Sequence, residues 1–145
     1  ELDFDFDKVL EKTKENPVFY VQYSYARISS LFRTLNIDVN KVFEIDTSNF
    51  ELNTYELSLF RKVLDWPKVI ETATIKFEPH RIPFFLYELA TLFHSYWSKG
   101  NEDPNYKFIV NGKIKCTNTL LIIKLVALTI ENGMNILDVS LPTKM

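Results

Sequence analysis

Residues 78–99 read EPHRIPFFLYELATLFHSYWSK and carry the clearest helical pattern in this chain of 145 residues. The apolar positions recur every three or four residues, which is typical of a helix that buries one face. We predict a helix over residues 79–99 that ends at Gly100, because glycine is favoured just after helix termini. The predicted buried face consists of Ile82, Phe85, Leu86, Leu89, Leu92, Phe93 and Tyr96.

Four further helices are predicted around this one. Asn16 and Pro17 mark the first start, since asparagine caps helix N-termini and proline is tolerated at the first helical position. Thr117 and Asn118 are expected to cap the last helix, and Gly133 is expected to end it. The predicted ranges are residues 17–35, 54–65, 67–77 and 119–132.

The remaining segments read as connections. Residues 36–53 lack a clear period and are expected to form a long loop, while Asn111-Gly112 predicts a short hairpin within residues 106–115. The tail after Gly133 is expected to pack back through Ile136, Leu137, Val139 and Leu141. The fold class is therefore all-α, a bundle of about five helices with one possible small hairpin.

Composition excludes several classes of protein. Apolar residues make up 46% and charged residues 25%, close to soluble globular averages. A single cysteine, Cys116, excludes a disulfide framework and a multi-cysteine zinc site. The longest apolar run covers 11 residues, 120–130, with Lys124 inside it, whereas a membrane span needs about 20. The net charge of −2 means that nucleic acid, if bound, is not held by overall charge alone.

No self-contained active site or metal site is predicted. His80 and His94 are fourteen residues apart on one predicted helix, which separates them by about 21 Å, so they cannot share a metal ion. Asp3, Asp5 and Asp7 form an acidic cluster that we interpret as a solvated or domain-contacting segment. We therefore expect no catalytic residue, metal or cofactor within these residues.

The first predicted helix carries a group of side chains suited to RNA. Tyr20, Tyr23 and Arg27 are spaced by three and four residues and fall on one flank beside the apolar face. Tyrosine rings stack on unpaired bases, and a guanidinium donates to base edges. Trp97 occupies a similar flank of the longest helix. On periodicity alone, the rim of a core with a snorkelling arginine is the commoner explanation.

Three segments resemble one protein family. Residues 16–33, NPVFYVQYSYARISSLFR, resemble the NPVYYVQYAHAR signature of arginyl-tRNA synthetases. Residues 78–97 resemble the EPHRLAHYLYELAGAFHSFY segment of that family, and residues 131–145, ENGMNILDVSLPTKM, resemble its C-terminal sequence. The matches occur in the same order and span nearly the whole chain.

The resemblance implies a domain of a larger enzyme. It implies that residues 16–145 form the C-terminal anticodon-binding domain of the DALR type and that residues 1–15 are the junction with an absent catalytic domain. The full-length protein would be a cytoplasmic, class I arginine–tRNA ligase that uses ATP with Mg²⁺ and forms AMP. This fragment would be non-catalytic.

The resemblance also implies a binding site and partners. The anticodon-binding residues would be Tyr20, Tyr23, Arg27, Trp97 and Met145. Trp97 stands where relatives have tyrosine, so stacking is kept while a phenol hydrogen bond is lost. The expected partners are an arginine tRNA and the protein's own catalytic domain, contacted through residues 1–19 with Phe4, Phe6 and Phe19; no membrane or DNA partner is expected.

Two alternatives stay open at this point. One is a helical protein-interaction module without RNA binding, which the slightly acidic charge favours. The other is the anticodon domain of a neighbouring class I synthetase, such as the cysteine enzyme. The YVQYxxAR pattern of residues 20–27 and the terminal Met145 argue against this second alternative.

Overall fold

The computed structural model describes residues 13, 16–44 and 51–145. Its α-helices are α1 (Pro17–Thr34), α2 (Thr54–Leu64), α3 (Trp66–Ile75), α4 (Arg81–Glu102) and α5 (Thr117–Ile136). Two short 3₁₀ helices (Val39–Glu44 and Pro104–Tyr106) and a hairpin of β1 (Ile109–Val110) and β2 (Lys113–Ile114) connect them. The predicted all-α bundle with one small hairpin is confirmed.

Helix α4 lies at the centre of the bundle and contacts the other four helices. Helix α1 runs parallel to α4. Tyr20 near the start of α1 contacts Tyr87, and Arg27, about two turns later, contacts Trp97. Helices α2 and α5 run in the opposite direction. The parallel pair α1 and α4 therefore places matching flanks of the two helices side by side.

The core is built from the apolar faces that the spacing predicts. Among its fully enclosed side chains are Leu59, Leu86, Leu89, Phe93, Ile122, Ile123, Val126 and Ile130. Within the described ranges, α5 is the one helix long and apolar enough to cross a membrane by length and composition. Of its most apolar window, 56% is buried inside the fold, so α5 packs as a core helix.

The predicted start of α1 is confirmed. The Asn16 side-chain oxygen accepts hydrogen bonds from the backbone N–H groups of Val18 at 3.1 Å and Phe19 at 3.2 Å, and Pro17 is the first helical residue. The cap satisfies two N–H groups that have no partner inside the helix. The chain leaves α1 through Asn36, whose φ of 50° is left-handed.

Both glycines predicted to end helices lie inside them, so these two boundaries were wrong. A Cβ on Gly100 would lie 2.9 Å from the Tyr106 carbonyl oxygen, and one on Gly133 would lie 2.8 Å from Leu86 Cδ1. Each glycine permits a close approach between elements and does not end a helix. Helix α5 continues to Ile136, and Asp138, with a φ of 55°, provides the left-handed residue after it.

The other end of α5 also differs from the prediction. Thr117 and Asn118 were expected to cap the helix, but the helix begins at Thr117 after Cys116, which makes no side-chain capping bond. The Asn118 amide instead donates to the Glu51 carbonyl oxygen at 3.2 Å. The predicted hairpin turn is confirmed, because Asn111 and Gly112 both adopt positive φ, 53° and 73°.

Candidate nucleic-acid interface

The Arg27 guanidinium lies between two aromatic rings. Its Cζ atom is 4.5 Å from the centre of the Tyr23 ring and 4.7 Å from the centre of the Trp97 ring. Tyr23 precedes Arg27 by one helical turn, and the guanidinium also donates a hydrogen bond to the Tyr23 hydroxyl. The two rings fix the plane of the charged group before any ligand arrives.

Trp97 is held in this position by the hairpin and by its own helix. Phe108, which is buried, meets the Trp97 ring edge-on with ring centres 5.4 Å apart, and Phe93 lies 6.0 Å away. The hairpin, to which the sequence assigned no role, therefore supports one wall of the candidate site.

Tyr23, Arg27 and Trp97 line an open groove with a volume of about 640 Å³. The charged side chains in its lining are Arg27, Arg33 and Lys144, and none of the described residues that line it is acidic. The other lining residues are Ala26, Ser30, Leu31, Thr34, Ile109 and Met145. A chain with a net charge of −2 thus presents a groove that is locally basic and aromatic.

The C-terminal tail reaches this groove because two side chains of α1 hold its backbone. Gln22 Nε2 donates to the Ser140 carbonyl oxygen at 2.8 Å, and Arg33 Nη2 donates to the Thr143 carbonyl oxygen at 2.9 Å. The Met145 side chain is 53% exposed at the groove. The final residue is consequently presented to solvent from an anchored segment.

The apolar residues of the tail divide into two groups. Leu137, Val139 and Leu141 pack against the core as predicted. Ile136, the last residue of α5, was predicted to pack as well, but it is 50% exposed. That part of the prediction was wrong, because α5 extends further than expected and turns Ile136 outward.

Tyr20 lies beside the groove and not in its lining. Its ring centre is 4.5 Å from that of His94 and 5.4 Å from that of Tyr87. Burial raises the pKa of the Tyr20 hydroxyl. Of the predicted site residues, the structure therefore brings Tyr23, Arg27, Trp97 and Met145 together and places Tyr20 in a neighbouring aromatic cluster.

His94 supports both tyrosines from behind. Its ring centre is 5.5 Å from that of Tyr23, and Nε2 lies 2.9 Å from the Ser24 hydroxyl. The Ser24 hydroxyl also donates to the Tyr20 carbonyl oxygen at 3.1 Å, so it ties His94 to the backbone of α1. Burial, reinforced by the Arg27 charge, lowers the pKa of His94 to about 4. A neutral imidazole therefore packs behind Tyr23.

Arg33, Lys144 and Ile109 are groove residues that the sequence reasoning did not select. Arg33 lies in the residue 16–33 segment that carries the family resemblance, so its charge was a usable signal. Lys144 immediately precedes Met145, in the residue 131–145 segment that carries the resemblance. Nothing in the sequence places Ile109 there, since its position depends on how the hairpin packs.

The metal prediction is tested only in part. Within residues 13, 16–44 and 51–145, no three His, Cys, Asp or Glu residues form a group that could hold a metal ion. His80 is exposed at the start of α4, whereas His94 is buried. Asp3, Asp5 and Asp7, like Phe4 and Phe6, lie outside the described residues.

A helical bundle with an aromatic, basic and open groove carries the kinds of side chain that bind unpaired nucleotides. The particular family follows from comparison with known proteins, because the model of the DALR anticodon binding domain matches residues 21–145. The chain belongs to this family.

Curated relatives agree with that membership. The chain is 46% identical over its full length to an arginine–tRNA ligase of Pelagibacter ubique and covers 25% of that protein. It is 38% identical over 96% of its length to the arginine–tRNA ligase of Roseobacter denitrificans, again covering 25%. The chain thus spans about a quarter of the length of these relatives.

A solved structure shows the same fold. A crystal structure from Campylobacter jejuni, assigned as an arginyl-tRNA synthetase, superposes on 99% of this chain with a TM-score of 0.82 and 27% sequence identity. The match covers 30% of that longer chain. The arrangement of α1–α5 is therefore that of one domain within an arginyl-tRNA synthetase.

Proposed function

We propose that this chain binds the anticodon arm of an arginine tRNA as one domain of an arginine–tRNA ligase. The observation that carries the proposal is the Arg27 guanidinium held between the Tyr23 and Trp97 rings in a groove whose other cations are Arg33 and Lys144. Membership of the anticodon-binding family and the arginine–tRNA ligase relatives support it.

The groove offers each kind of contact that an unpaired loop base needs. The Tyr23 and Trp97 rings offer aromatic contact to a base, and Arg27 donates to acceptors on the base edge. Arginine anticodons share a cytosine at the middle position, which presents an N3 and an O2 acceptor and an N4 donor. Arg27 fits the acceptors, and the exposed Met145 side chain lines the same groove. Arg33 and Lys144 then attract the adjacent phosphates.

The rest of the proposed activity concerns the longer protein. The full-length ligase would use ATP with Mg²⁺ to activate arginine and transfer it to the tRNA in the cytoplasm. Residues 16–145 would be the anticodon-binding domain, and residues 1–19 would contact the catalytic domain. Phe19, which stacks on Tyr23 with ring centres 6.3 Å apart, would link that contact to the groove.

The groove and the comparisons weigh against both alternatives. A protein-interaction module, although the net charge of the chain favours it, gives no reason for three basic side chains and no acidic side chain around a groove of aromatic rings. The anticodon domain of another class I synthetase is disfavoured because the relatives described above are arginine–tRNA ligases.

Binding of two tRNA transcripts tests the proposal. The first is an arginine tRNA, and the second differs from it only by replacement of the middle anticodon cytosine. We expect the first transcript to bind about tenfold more tightly or better, with an affinity that falls as salt increases because phosphates are contacted. Equal affinity for both transcripts, or no salt-dependent binding of either, would refute the proposal.

A further inference from the structure

A second, smaller cleft continues the groove beneath the hairpin. It has a volume of about 220 Å³ and shares Leu31, Trp97 and Ile109 with the groove. Because they share three lining residues, the two depressions adjoin each other. The other residues that line the cleft are Gly100, Asn101, Tyr106, Lys107 and Phe108.

The cleft is held in shape by contacts that involve no ligand. Phe108 is buried against Tyr96, with ring centres 4.5 Å apart. Lys115 Nζ donates to the Pro104 carbonyl oxygen at 3.2 Å and to that of Asn105 at 2.6 Å. The absence of a side chain at Gly100 lets the backbone after α4 approach the helix. The hairpin is thus fixed on α4 and the cleft is preformed.

The hairpin segment carries the opposite charge to the chain as a whole. Residues 106–115, YKFIVNGKIK, contain three lysines and no acidic residue, whereas the whole chain has a net charge of −2. Lys107 and Lys113 are exposed, and neither forms an ion pair with another described residue. The two acids just before the hairpin do not line the cleft: Glu102 pairs with Lys99, and Asp103 accepts from the Asn105 N–H.

We propose that this cleft is a second nucleotide subsite, in which an unpaired loop base lies between Trp97 and Tyr106 while its phosphate meets Lys107. The ligand is the RNA strand that occupies the groove, so this inference rests on the proposed function. Trp97 separates the two depressions and offers contact surface to both bases. Asn101 provides an amide that both donates and accepts, so it suits more than one base.

Charge removal tests the subsite without risk to the fold. Lys107→Ala changes an exposed side chain of the cleft lining, and Lys68→Ala, on exposed α3 surface away from both depressions, is the matched control. For an anticodon stem-loop RNA of an arginine tRNA, we expect the Lys107 variant to bind about three- to tenfold more weakly and to lower the salt slope by about 1. The Lys68 variant should bind like the unmodified protein.

A fluorescent base locates the bound nucleotide. 2-Aminopurine placed in turn at each loop position should report two positions that become stacked on binding, one in the groove and one in the cleft. The Lys107→Ala variant should lose the second signal and keep the first. Unchanged affinity in the Lys107 variant, or one stacked position only, would overturn the subsite and leave the groove intact. If the unmodified protein does not discriminate the two transcripts, the proposed function and the subsite both fail.

Discussion

Tyr96 and Trp97 are neighbours in α4, yet they belong to two polar clusters of opposite character. Tyr96 is 2% exposed; its hydroxyl donates to Glu56 Oε1 at 2.9 Å and accepts from Asn53 Nδ2 at 2.9 Å. Trp97 is half-buried and covers Arg27 at the groove. One step along the helix therefore separates an interior cluster from an open one.

The interior cluster is closed on itself. Thr119 Oγ1 donates to Glu56 Oε1 at 2.5 Å, and the Asn53 backbone N–H donates to Glu56 Oε2 at 3.0 Å. Burial, together with the Glu56 carboxylate, raises the pKa of the Tyr96 hydroxyl above its usual range. These bonds tie α2, α4 and α5 together. Within the described residues, no buried side-chain nitrogen or oxygen lacks a partner.

The polar groups of the groove, in contrast, keep unused hydrogen-bonding capacity. A guanidinium has five N–H donors, and Arg27 uses one bond, to the Tyr23 hydroxyl, among the described residues. Satisfied polar groups thus fix the bundle, whereas preorganised and unsatisfied ones remain for a ligand. Each cluster should accordingly fail in its own way when it is altered.

The largest expected effect comes from breaking the interior cluster. Glu56→Ala should lower the free energy of unfolding by about 3 kcal/mol, because it removes a helix cap and leaves the Tyr96 and Thr119 hydroxyls buried without their acceptor. Denaturant unfolding measures this. Binding of an arginine tRNA, measured well below the melting temperature, should change less than twofold.

Two results would contradict this division of roles. One is a Glu56→Ala protein as stable as the unmodified chain, and the other is a folded variant that has lost RNA affinity. Tyr96→Phe is the matched control, since it removes one hydroxyl of the same cluster and keeps the ring. We expect it to cost less, about 1 kcal/mol.

The second-largest effect comes from the open cluster. Here RNA affinity should change more than the free energy of unfolding. Arg27→Ala should weaken binding of an arginine tRNA by about 1–3 kcal/mol, because it removes a charged donor from the middle of the groove. The free energy of unfolding should fall by only about 1 kcal/mol, the value of partly exposed cation–π contacts. Filter binding and thermal melting on the same preparation measure both.

Arg27→Lys separates charge from shape at this position. Lysine keeps the charge but lacks the planar fork that stacks between Tyr23 and Trp97. We expect an affinity between those of the unmodified chain and Arg27→Ala. Unaltered affinity in a well-folded Arg27→Ala protein would show that the groove does not hold RNA.

The two clusters also differ in how far the sequence could predict them. Tyr23 and Arg27 are one helical turn apart, so periodicity alone placed them on the same flank. Glu56, Tyr96 and Thr119 come from three helices, and their contact depends on how those helices pack. No local pattern identified that cluster. The apolar spacing predicted a buried Tyr96, but it did not indicate that Glu56 and Thr119 meet it there.

The same limit explains the errors at the ends of helices. Gly100 and Gly133 carry the usual mark of a helix end, but the structure uses them for close approaches to Tyr106 and Leu86. The close approach of Gly133 to Leu86 joins residues that are far apart in the sequence, so a local pattern cannot predict it. By contrast, the Asn16 cap and the Asn111-Gly112 turn were predicted correctly, because both depend on residues within one turn of chain.

The smallest expected effect concerns the end of the tail, where Lys144 and Met145 line the groove and contribute little to the core. Deletion of Lys144 and Met145 removes a cation and an exposed thioether, and it leaves a new carboxylate on Thr143. The Thr143 carbonyl already accepts from Arg33, so that carboxylate would neutralise a second groove cation. We expect arginine tRNA to bind about threefold to tenfold more weakly, with unfolding free energy within about 1 kcal/mol of the unmodified chain.

Met145→Ala keeps both the chain length and the terminal carboxylate and should bind more tightly than the deletion. If the shortened chain binds the arginine tRNA as well as the unmodified one, the tail has no part in recognition, and the groove ends at Arg33.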